Sequence, residues 1–513
     1  MINICPVLKS YQFFQVSKCQ LTLNKVIHLK FSTSAINLRL FRSYIKFKHK
    51  LRVTDNSEST SEEDDNFLNS NLDKIIERSL LPLGGHHQVF VIQPVIKWGQ
   101  KKKRNTTPEL QLEESITLVK TLRNWKVVGE AIVKLESFNR KTFFGKGNLQ
   151  LIRELILKHP TISAVFLSTE SLKLVQQKIL EEMLTVPVFD RYTLIMHILR
   201  EHAKTREAKL QIKLAELPYL YKVMGGLKSG YGIHFFNEIT SRSRAARKEI
   251  FKEKEAQIRN ELSILRKRRE ELRNKRKKND MPVIAVVGYT NAGKTSLVKA
   301  LTGKEKLEPK DYLFATLDVT CHIGTLPSSL PVYFVDTLGF MNDIPTFLIE
   351  SFVYTLEDVK HADVIIHVRD ISHPNTVAQN DNVIQTLHQL NLSDEDWNKV
   401  ITVGNKIDKI EKENIDYFKD KNMILVSCTD LTGIEELRQK IEKFILSTSD
   451  KKEMIIKVKS GLDEYNWLHS ETTVTNEWPD SENNQYMFLK VIISPSTLSR
   501  FKSKFIYENL KKK

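Results

Sequence analysis

The apolar and polar positions of this chain fall into short runs of two kinds, and the two kinds alternate. From residue 88, QVFVIQPVI is an apolar stretch of strand length, LEESITLVKTL carries apolar residues at helical spacing, and WKVVGEAIVKL returns to a strand pattern. FFGKG then leads into the helix-patterned NLQLIRELILKH, and SAVFLS is strand-like again. Strands alternating with helices predict a small α/β domain with a largely parallel sheet over residues 81–201. Residues 202–217, HAKTREAKLQIKLAEL, are strong helix formers, and a second long helical run covers 241–280. Within it Phe251, Ile258, Leu265 and Leu272 recur every seven residues with Leu262 between them, which predicts one seam of a two-helix arm over 202–280.

At residue 281 the pattern restarts. MPVIAVVGYTNAGKTSLVKALTG reads as buried strand, glycine-rich turn and helix, and the α/β alternation runs on to residue 447. Residues 448–513 hold two strand-like runs, EMIIKVKS and YMFLKVIIS, around a polar insertion. The expected fold class is therefore α/β: a P-loop domain at 281–447, preceded by a small α/β domain and a long two-helix arm, and followed by a small C-terminal α/β element.

Charge adds two features to this layout. The net charge is +17, and residues 1–54 contribute ten Lys and Arg with no acid. Residues 241–280 contribute about nine more, which leaves the rest of the chain near neutral. A basic, acid-free segment rich in hydroxyl and apolar residues has the properties of a presequence, so 1–54 predicts import into the mitochondrial matrix. The acidic, hydroxyl-rich 55–80 reads as a linker. In the second basic stretch, RKRREELRNKRKK is either a solvated, ion-paired helix face or a surface for phosphates, and both readings stay open. No apolar run approaches the ~18 residues of a membrane-spanning helix. The four cysteines, Cys5, Cys19, Cys321 and Cys428, form no CxxC pair, which argues against a disulfide framework or zinc site.

GYTNAGKT (288–295) has the spacing GxxxxGK[ST] in the context it needs, after an apolar strand and opening a helix. Gly288 and Gly293 let the backbone of Tyr289, Thr290, Asn291 and Ala292 wrap phosphates, with the helix N-terminus and Ser296 behind them. Lys294 is placed to reach the β- and γ-phosphates, and the Thr295 hydroxyl to bind Mg²⁺. In NKID (405–408), Asp408 can accept from both N1–H and the exocyclic amine of guanine, an edge adenine lacks. Asn405 would brace the loops and Lys406 would lie along the ring, so the ligand is GTP or GDP rather than ATP. The strand end SCTDLTGIEEL offers the N–H groups of Ser427 and Cys428 for the guanine carbonyl.

Between these motifs lie the expected phosphate sensors. In VYFVDTLG, Asp336 would hold Mg²⁺ through a water and the Gly339 N–H would meet the γ-phosphate. In LFATLDVT, Phe314 borders the ligand and Thr316 closes on Mg²⁺ only with GTP bound, with Thr320 as its rival. Lys294, Thr316 and Gly339 are thus the candidates for catalysis, and Thr295, Thr316 and Asp336 those for the metal. Phe340 stands where many GTPases carry a water-orienting glutamine. A benzyl group cannot orient water by hydrogen bonding, so either intrinsic turnover is slow and completed by a partner, or hydrolysis is vestigial.

With these elements in order, residues 81–447 resemble HflX-type GTPases, in their mitochondrial branch. FFGKGN (143–148), DRYTLIMHIL (190–199), DYLFATLDVT, DTLGF, LIESFVYTLEDV and HADVIIHVRDISHP carry the resemblance. It implies GTP hydrolysis stimulated by the ribosome. It also implies binding to the mitochondrial large subunit and its rRNA, with splitting or recycling of ribosomes or help in large-subunit assembly; the chain is expected to be a monomer. The alternative is a GTP-sensing RNA- or ribosome-binding module. One departure stands out: the family's GPGE loop between the arm helices is replaced by MGGLKSGYGIHFFNEIT (224–240). Lys228, Tyr231, His234, Phe235 and Phe236 offer charge and stacking there, for RNA or for packing of the turn.

Overall fold

The computed structural model describes residues 3–4, 85–99, 105–226, 244–278, 281–304, 313, 320–341, 357–390, 392–411, 415, 418 and 423–507. Apart from Asn3 and Ile4, the expected presequence and acidic linker lie outside the described residues, as do Phe314, Thr316 and nearly all of the loop that replaces GPGE. The chain divides into two compact units: Met1–Lys102, Arg123–Asp190 and Lys213–Asn260 form one, and Lys103–Leu122, Arg191–Ile212 and Glu261–Lys513 the other.

In the first unit, strands β1 (His87–Ile96), β2 (Trp125–Leu135), β3 (Ala164–Leu167) and β4 (Val188–Phe189) lie in the order β2-β1-β3-β4. All three contacts between them are parallel, and Asn3–Ile4 pairs antiparallel at the β2 edge. Parallel strands are buried on both faces, which is why β1 and β3 read as nearly unbroken apolar runs. Helices α2 (Lys146–Lys158) and α3 (Leu174–Leu184) place Leu149, Ile152, Ile156, Leu180 and Leu184 in the same core as Phe90, Ile92 and Val133. FFGKG forms the entry to α2, with Phe143 and Phe144 both buried. Gln176 fixes the loop before it by donating to the carbonyls of Phe138 and Arg140 at 2.8 and 2.7 Å.

The second unit contains α1 (Pro108–Lys120) and α4 (Arg191–His202), joined by an Arg191–Glu114 ion pair of 2.8 Å in which Arg191 is buried. The arm helices are α5 (Arg206–Gly226) and α6 (Arg244–Lys278), which run through both units. The first arm helix starts later than the pattern suggests, because Thr205 Oγ1 accepts from the Ala208 N–H at 3.1 Å and sets its beginning. It continues through Pro218. Of the expected seam, Phe251, Ile258 and Leu262 are buried and Leu265 is half-buried, while the Leu272 side chain lies outside the described residues.

The cationic face of α6 divides in two. Arg266 pairs with Glu357, and Arg269 pairs with Glu207 at 2.8 Å and stands 3.8 Å from Asp358. Those two arginines are engaged within the unit, as an ion-paired face requires. Lys267 and Arg268 are exposed beside them.

The central sheet of this unit has the order β10-β9-β8-β5-β7-β6, built from β5 (Val283–Gly288), β6 (Thr320–Thr325), β7 (Pro331–Asp336), β8 (Val364–Asp370), β9 (Val400–Asn405) and β10 (Ile424–Val426). Only β6 runs antiparallel, against β7. Helices α7 (Lys294–Thr302), α8 (Thr376–Gln389), α9 (Asp394–Asn398) and α10 (Ile434–Thr448) fill the connections. The C-terminal ends of β5, β7 and β9 carry GYTNAGKT, DTLG and NKID, the side of a parallel sheet where ligands bind. A last, antiparallel sheet follows, β11 (Lys452–Lys459), β12 (Thr473–Pro479) and β13 (Tyr486–Ile493) in the order β11-β13-β12. Its inner face packs Val458, Leu489, Val491 and Ile493 against Leu468 of α11 (Asp463–Glu471) and Phe501 of α12 (Pro495–Phe501). The polar insertion thus holds a helix and a strand. No helix among the described residues is long and apolar enough to cross a membrane.

Candidate functional site

The glycine-rich turn leaves β5 under tight constraint. A Cβ on Gly288 would stand 2.4 Å from the Val368 carbonyl oxygen, and one on Gly293, at φ +92°, would stand 2.2 Å from Asn405 Nδ2. Both contacts are closer than any Cβ tolerates, and the second also lies in the backbone region that favours glycine. Tyr289, Thr290 and Ala292 are buried, so what this turn offers a ligand is chiefly backbone. Asn291, at φ 61°, makes the left-handed step that turns the chain toward α7.

Lys294 opens α7 with its side chain buried and donates to the carbonyls of Tyr289 at 2.8 Å and Gly288 at 3.3 Å. Desolvation pulls its pKa down to about 8, although the Asp336 carboxylate works in the opposite direction. A polyphosphate beside it would favour the charged form. Nucleotide binding should therefore take up a proton above pH 8, and affinity should fall by up to about tenfold per pH unit there. Titration calorimetry in buffers of different ionisation enthalpy measures that proton. The sign for folding is the reverse: with the folded pKa depressed, stability of the ligand-free protein rises as pH climbs from about 8 toward the ordinary lysine value.

Thr295 Oγ1 donates to Asp336 Oδ2 at 2.6 Å, bringing a hydroxyl from α7 against the buried carboxylate that ends β7. Gly339 follows closely. A Cβ there would stand 2.9 Å from both Lys294 Nζ and Thr290 Cα, so only a bare backbone fits against the phosphate turn. Thr290 Oγ1 is buried without a hydrogen-bond partner among the described residues.

Phe340 is bound into this arrangement by its main chain. Its N–H donates to the Gly288 carbonyl at 3.1 Å, and its own carbonyl accepts from the Thr290 N–H at 2.7 Å. These bonds make a parallel bridge with Tyr289, and the Phe340 side chain is 2% exposed. The ring is a core group and the backbone a splice between two phosphate-facing loops. Thr320, the rival to Thr316, sits on β6 in register with Asp336, and its hydroxyl lies 2.9 Å from His322 Nε2.

At the other end of the site, Asn405 Nδ2 donates to the Ala292 carbonyl at 2.9 Å, and Cys428 Sγ donates to Asn405 Oδ1 at 3.2 Å. Burial, with Asp408 nearby, pushes the Cys428 thiol up to about 12, which makes it a packing group rather than a nucleophile. Lys406, at φ 69°, donates to the Asn291 carbonyl at 2.9 Å and pairs with Asp370 at 2.7 Å. Asp370 is a site residue that motif reading passes over. It ends β8 as Asp336 ends β7, and that shared position is the signal in the sequence. Ser427 Oγ donates to Asp408 Oδ1 at 2.8 Å, fixing the carboxylate expected to select guanine. The expected role of the Ser427 N–H needs correcting, because that group is already donated to the Thr432 carbonyl at 3.0 Å. A cleft of about 470 Å³ opens here, with Gly293, Ser296, Lys299, Asn405, Asp408 and Cys428 among its lining, a volume that suits a small-molecule ligand. The structure therefore gathers every candidate from 288–296, 336–339, 405–408 and 427–428, while Phe314 and Thr316 stay outside the described residues.

Comparison with known proteins agrees with this geometry. Residues 283–406 match the family described as 50S ribosome-binding GTPase, and residues 109–199 match the GTP-binding GTPase N-terminal family. GTP-binding protein 6 of Xenopus laevis is 41% identical over 82% of this chain and 80% of its own length. The GTPase HflX of Alkalihalophilus pseudofirmus is 34% identical over 72% of this chain and 87% of its own. A GTP-binding protein of Sulfolobus solfataricus, solved with GDP, aligns at 25% identity over 71% of this chain and all of its own, with a TM-score of 0.37 too low to argue from. The chain is a guanine-nucleotide-binding P-loop GTPase and belongs to the HflX family.

Proposed function

We propose that this GTPase acts on the large subunit of the mitochondrial ribosome, in splitting, recycling or assembly, and that the particle stimulates its hydrolysis. The observation that carries this reading is Phe340. With its ring in the core and its main chain bonded to the phosphate turn, the usual glutamine position supplies no group to orient water. Such a site retains charge stabilisation but lacks one positioning element, which a bound particle can complete. The ribosome as that partner is supported by the match of residues 283–406 to the 50S ribosome-binding GTPase family, and the mitochondrion by the acid-free basic segment 1–54.

In this reading Lys294 stabilises charge on the transferring phosphoryl group, Gly339 meets the γ-phosphate through its N–H, and Asp408 selects guanine. The Thr295 hydroxyl and Asp336 carboxylate form an oxygen donor set suited to Mg²⁺, and these residues with Thr316 would hold it. When bound, that ion neutralises charge between the β- and γ-phosphates. Gly288, Tyr289, Thr290, Asn291, Ala292 and Gly293 keep the role of wrapping the phosphates, and Asn405, Lys406 and Cys428 that of holding the base.

Turnover measured with and without purified mitochondrial large subunits tests the proposal. Stimulation by the large subunit is expected, and no response to any ribosomal particle would sink it. The exposed cations Lys267 and Arg268 of α6 give a finer expectation. Lys267→Glu with Arg268→Glu should weaken particle binding and lower the salt slope by about two phosphate contacts, whereas Arg266→Glu should act by breaking its pair with Glu357.

A further inference from the structure

The C-terminal sheet has an outer face whose Tyr486 and Phe488 end its two helices leave open, while Ile492 at the other end is buried. Strand alternation sends Val458, Leu489 and Val491 inward, so Lys457 and Lys459 of β11, Tyr486 and Phe488 of β13, and Trp478 of β12 point outward. The register sets Lys457 and Trp478 on either side of Phe488, and Lys459 beside Tyr486. Trp478 and Phe488 stack with centroids 6.1 Å apart and planes at 25°. The Lys457 ammonium lies 5.1 Å from the Tyr486 ring centre and 5.4 Å from that of Phe488, and Lys459 lies 5.7 Å from Tyr486. Trp478 is 38% exposed.

Large rings at the surface of a sheet, alternating with lysines, are costly to leave in water and serve no core here. Tyr486 and Phe488 are two residues apart on one strand, a separation of about 7 Å that matches successive bases of an extended strand. Lys457, Lys459 and Lys490 lie on this face, with Asp480 and Glu453 beside them. Lys457 pairs with Asp480 at 2.5 Å and Lys490 with Glu453 at 2.9 Å, while Lys459 meets no carboxylate among the described residues. The Asp480 carboxylate is buried, so that pair is fixed, whereas Lys490 and Glu453 are both partly exposed and their pair contributes little. Asn476, exposed on the same face and opposite Lys490, adds an amide able to bond a 2′-hydroxyl.

We propose that this face binds single-stranded RNA, with bases stacked on Trp478, Phe488 and Tyr486 and the backbone held by Lys459 and its neighbours. Unpaired strands are required because a duplex hides the faces of its bases. Binding here does not depend on ribosome-stimulated turnover, so either proposal can fail without the other.

Fluorescence anisotropy of the full chain with a labelled ten-nucleotide RNA of mixed sequence tests it. Trp478→Ala and Tyr486→Ala should each weaken binding about tenfold, as loss of one stacked base does, while Trp478→Phe and Tyr486→Phe retain it. GDP affinity and circular dichroism should be unchanged in all four. If an alanine variant misfolds, Lys459→Glu, on an exposed side chain, gives the same test through charge. Photo-crosslinks from 4-thiouridine should fall in β12 and β13. Unchanged affinity in the alanine and Lys459→Glu variants would overturn the proposal, as would equal binding of the duplex or of the matching DNA strand. So would crosslinks confined to α6, or a purified ribosomal protein, rather than RNA, protecting β12 and β13 from hydrogen exchange.

Discussion

Asp408→Asn should lower GTP affinity by on the order of 10⁴ and let xanthosine triphosphate bind in its place. In the proposed site the carboxylate accepts from the guanine N1–H and amine. An amide turned to the base would offer a donor where those two donors arrive, leaving buried polar groups opposed. Xanthine replaces the amine with a carbonyl, so the same amide pairs with it. The fold should survive the change, because the amide oxygen can keep the 2.8 Å bond from Ser427 Oγ. Competition of labelled GTP against xanthosine triphosphate reads the outcome directly, and GTP affinity left intact would remove Asp408 from the site.

Gly339→Ala should reduce hydrolysis about 100-fold while sparing GDP binding, a loss typical of one misplaced donor in a transition state. The added methyl would stand 2.9 Å from Lys294 Nζ, 2.9 Å from Thr290 Cα and 2.8 Å from Thr290 Cγ2. The lysine head can move, but the Thr290 backbone is tied to Phe340 by a 2.7 Å bond and cannot yield alone. The strand end must therefore back away from the γ-phosphate, where GDP makes no demand. Single-turnover rates beside GDP and GTP affinities separate these effects. Equal weakening of both nucleotides, with normal chemistry once bound, would show that Gly339 shapes the turn without facing the γ-phosphate.

Motif spacing made the nucleotide site legible because phosphate and guanine impose their own stereochemistry. A strand, a glycine-rich turn and a lysine at fixed intervals allow few other constructions, and Asn405 and Asp408 stand 2.9 Å from the Ala292 carbonyl and 2.8 Å from Ser427 Oγ. Strand limits were equally plain where burial on both faces leaves an apolar run, as in SAVFLS, whose AVFL is β3 and buried throughout. What stayed hidden depends on the partner strand or loop. The strand TVTNEWP carries Asn476, Glu477 and Pro479 and looks like a loop, yet it pairs along β13, with Val474 packed against the core of that sheet. Glu477 itself points to the helix side, where it accepts from Tyr465 at 2.8 Å. In the same way, nothing local announces that Arg269 answers to Glu207 and that Arg268 stays exposed, since helical spacing alone treats the two alike.

Asn405 has a consequence for how nucleotide leaves. Its amide ties the base-binding strand to the phosphate turn at Ala292, its oxygen takes the Cys428 thiol, and its bulk occupies the space a side chain at 293 would fill. The two ends of the site are thus one mechanical piece, ordered when the domain folds rather than when GTP arrives. A factor that promotes exchange need not reach both ends. Displacing the loop that carries Cys428 would slacken Asn405, and with it the grip on the phosphates, so GDP release could be driven from the guanine side alone.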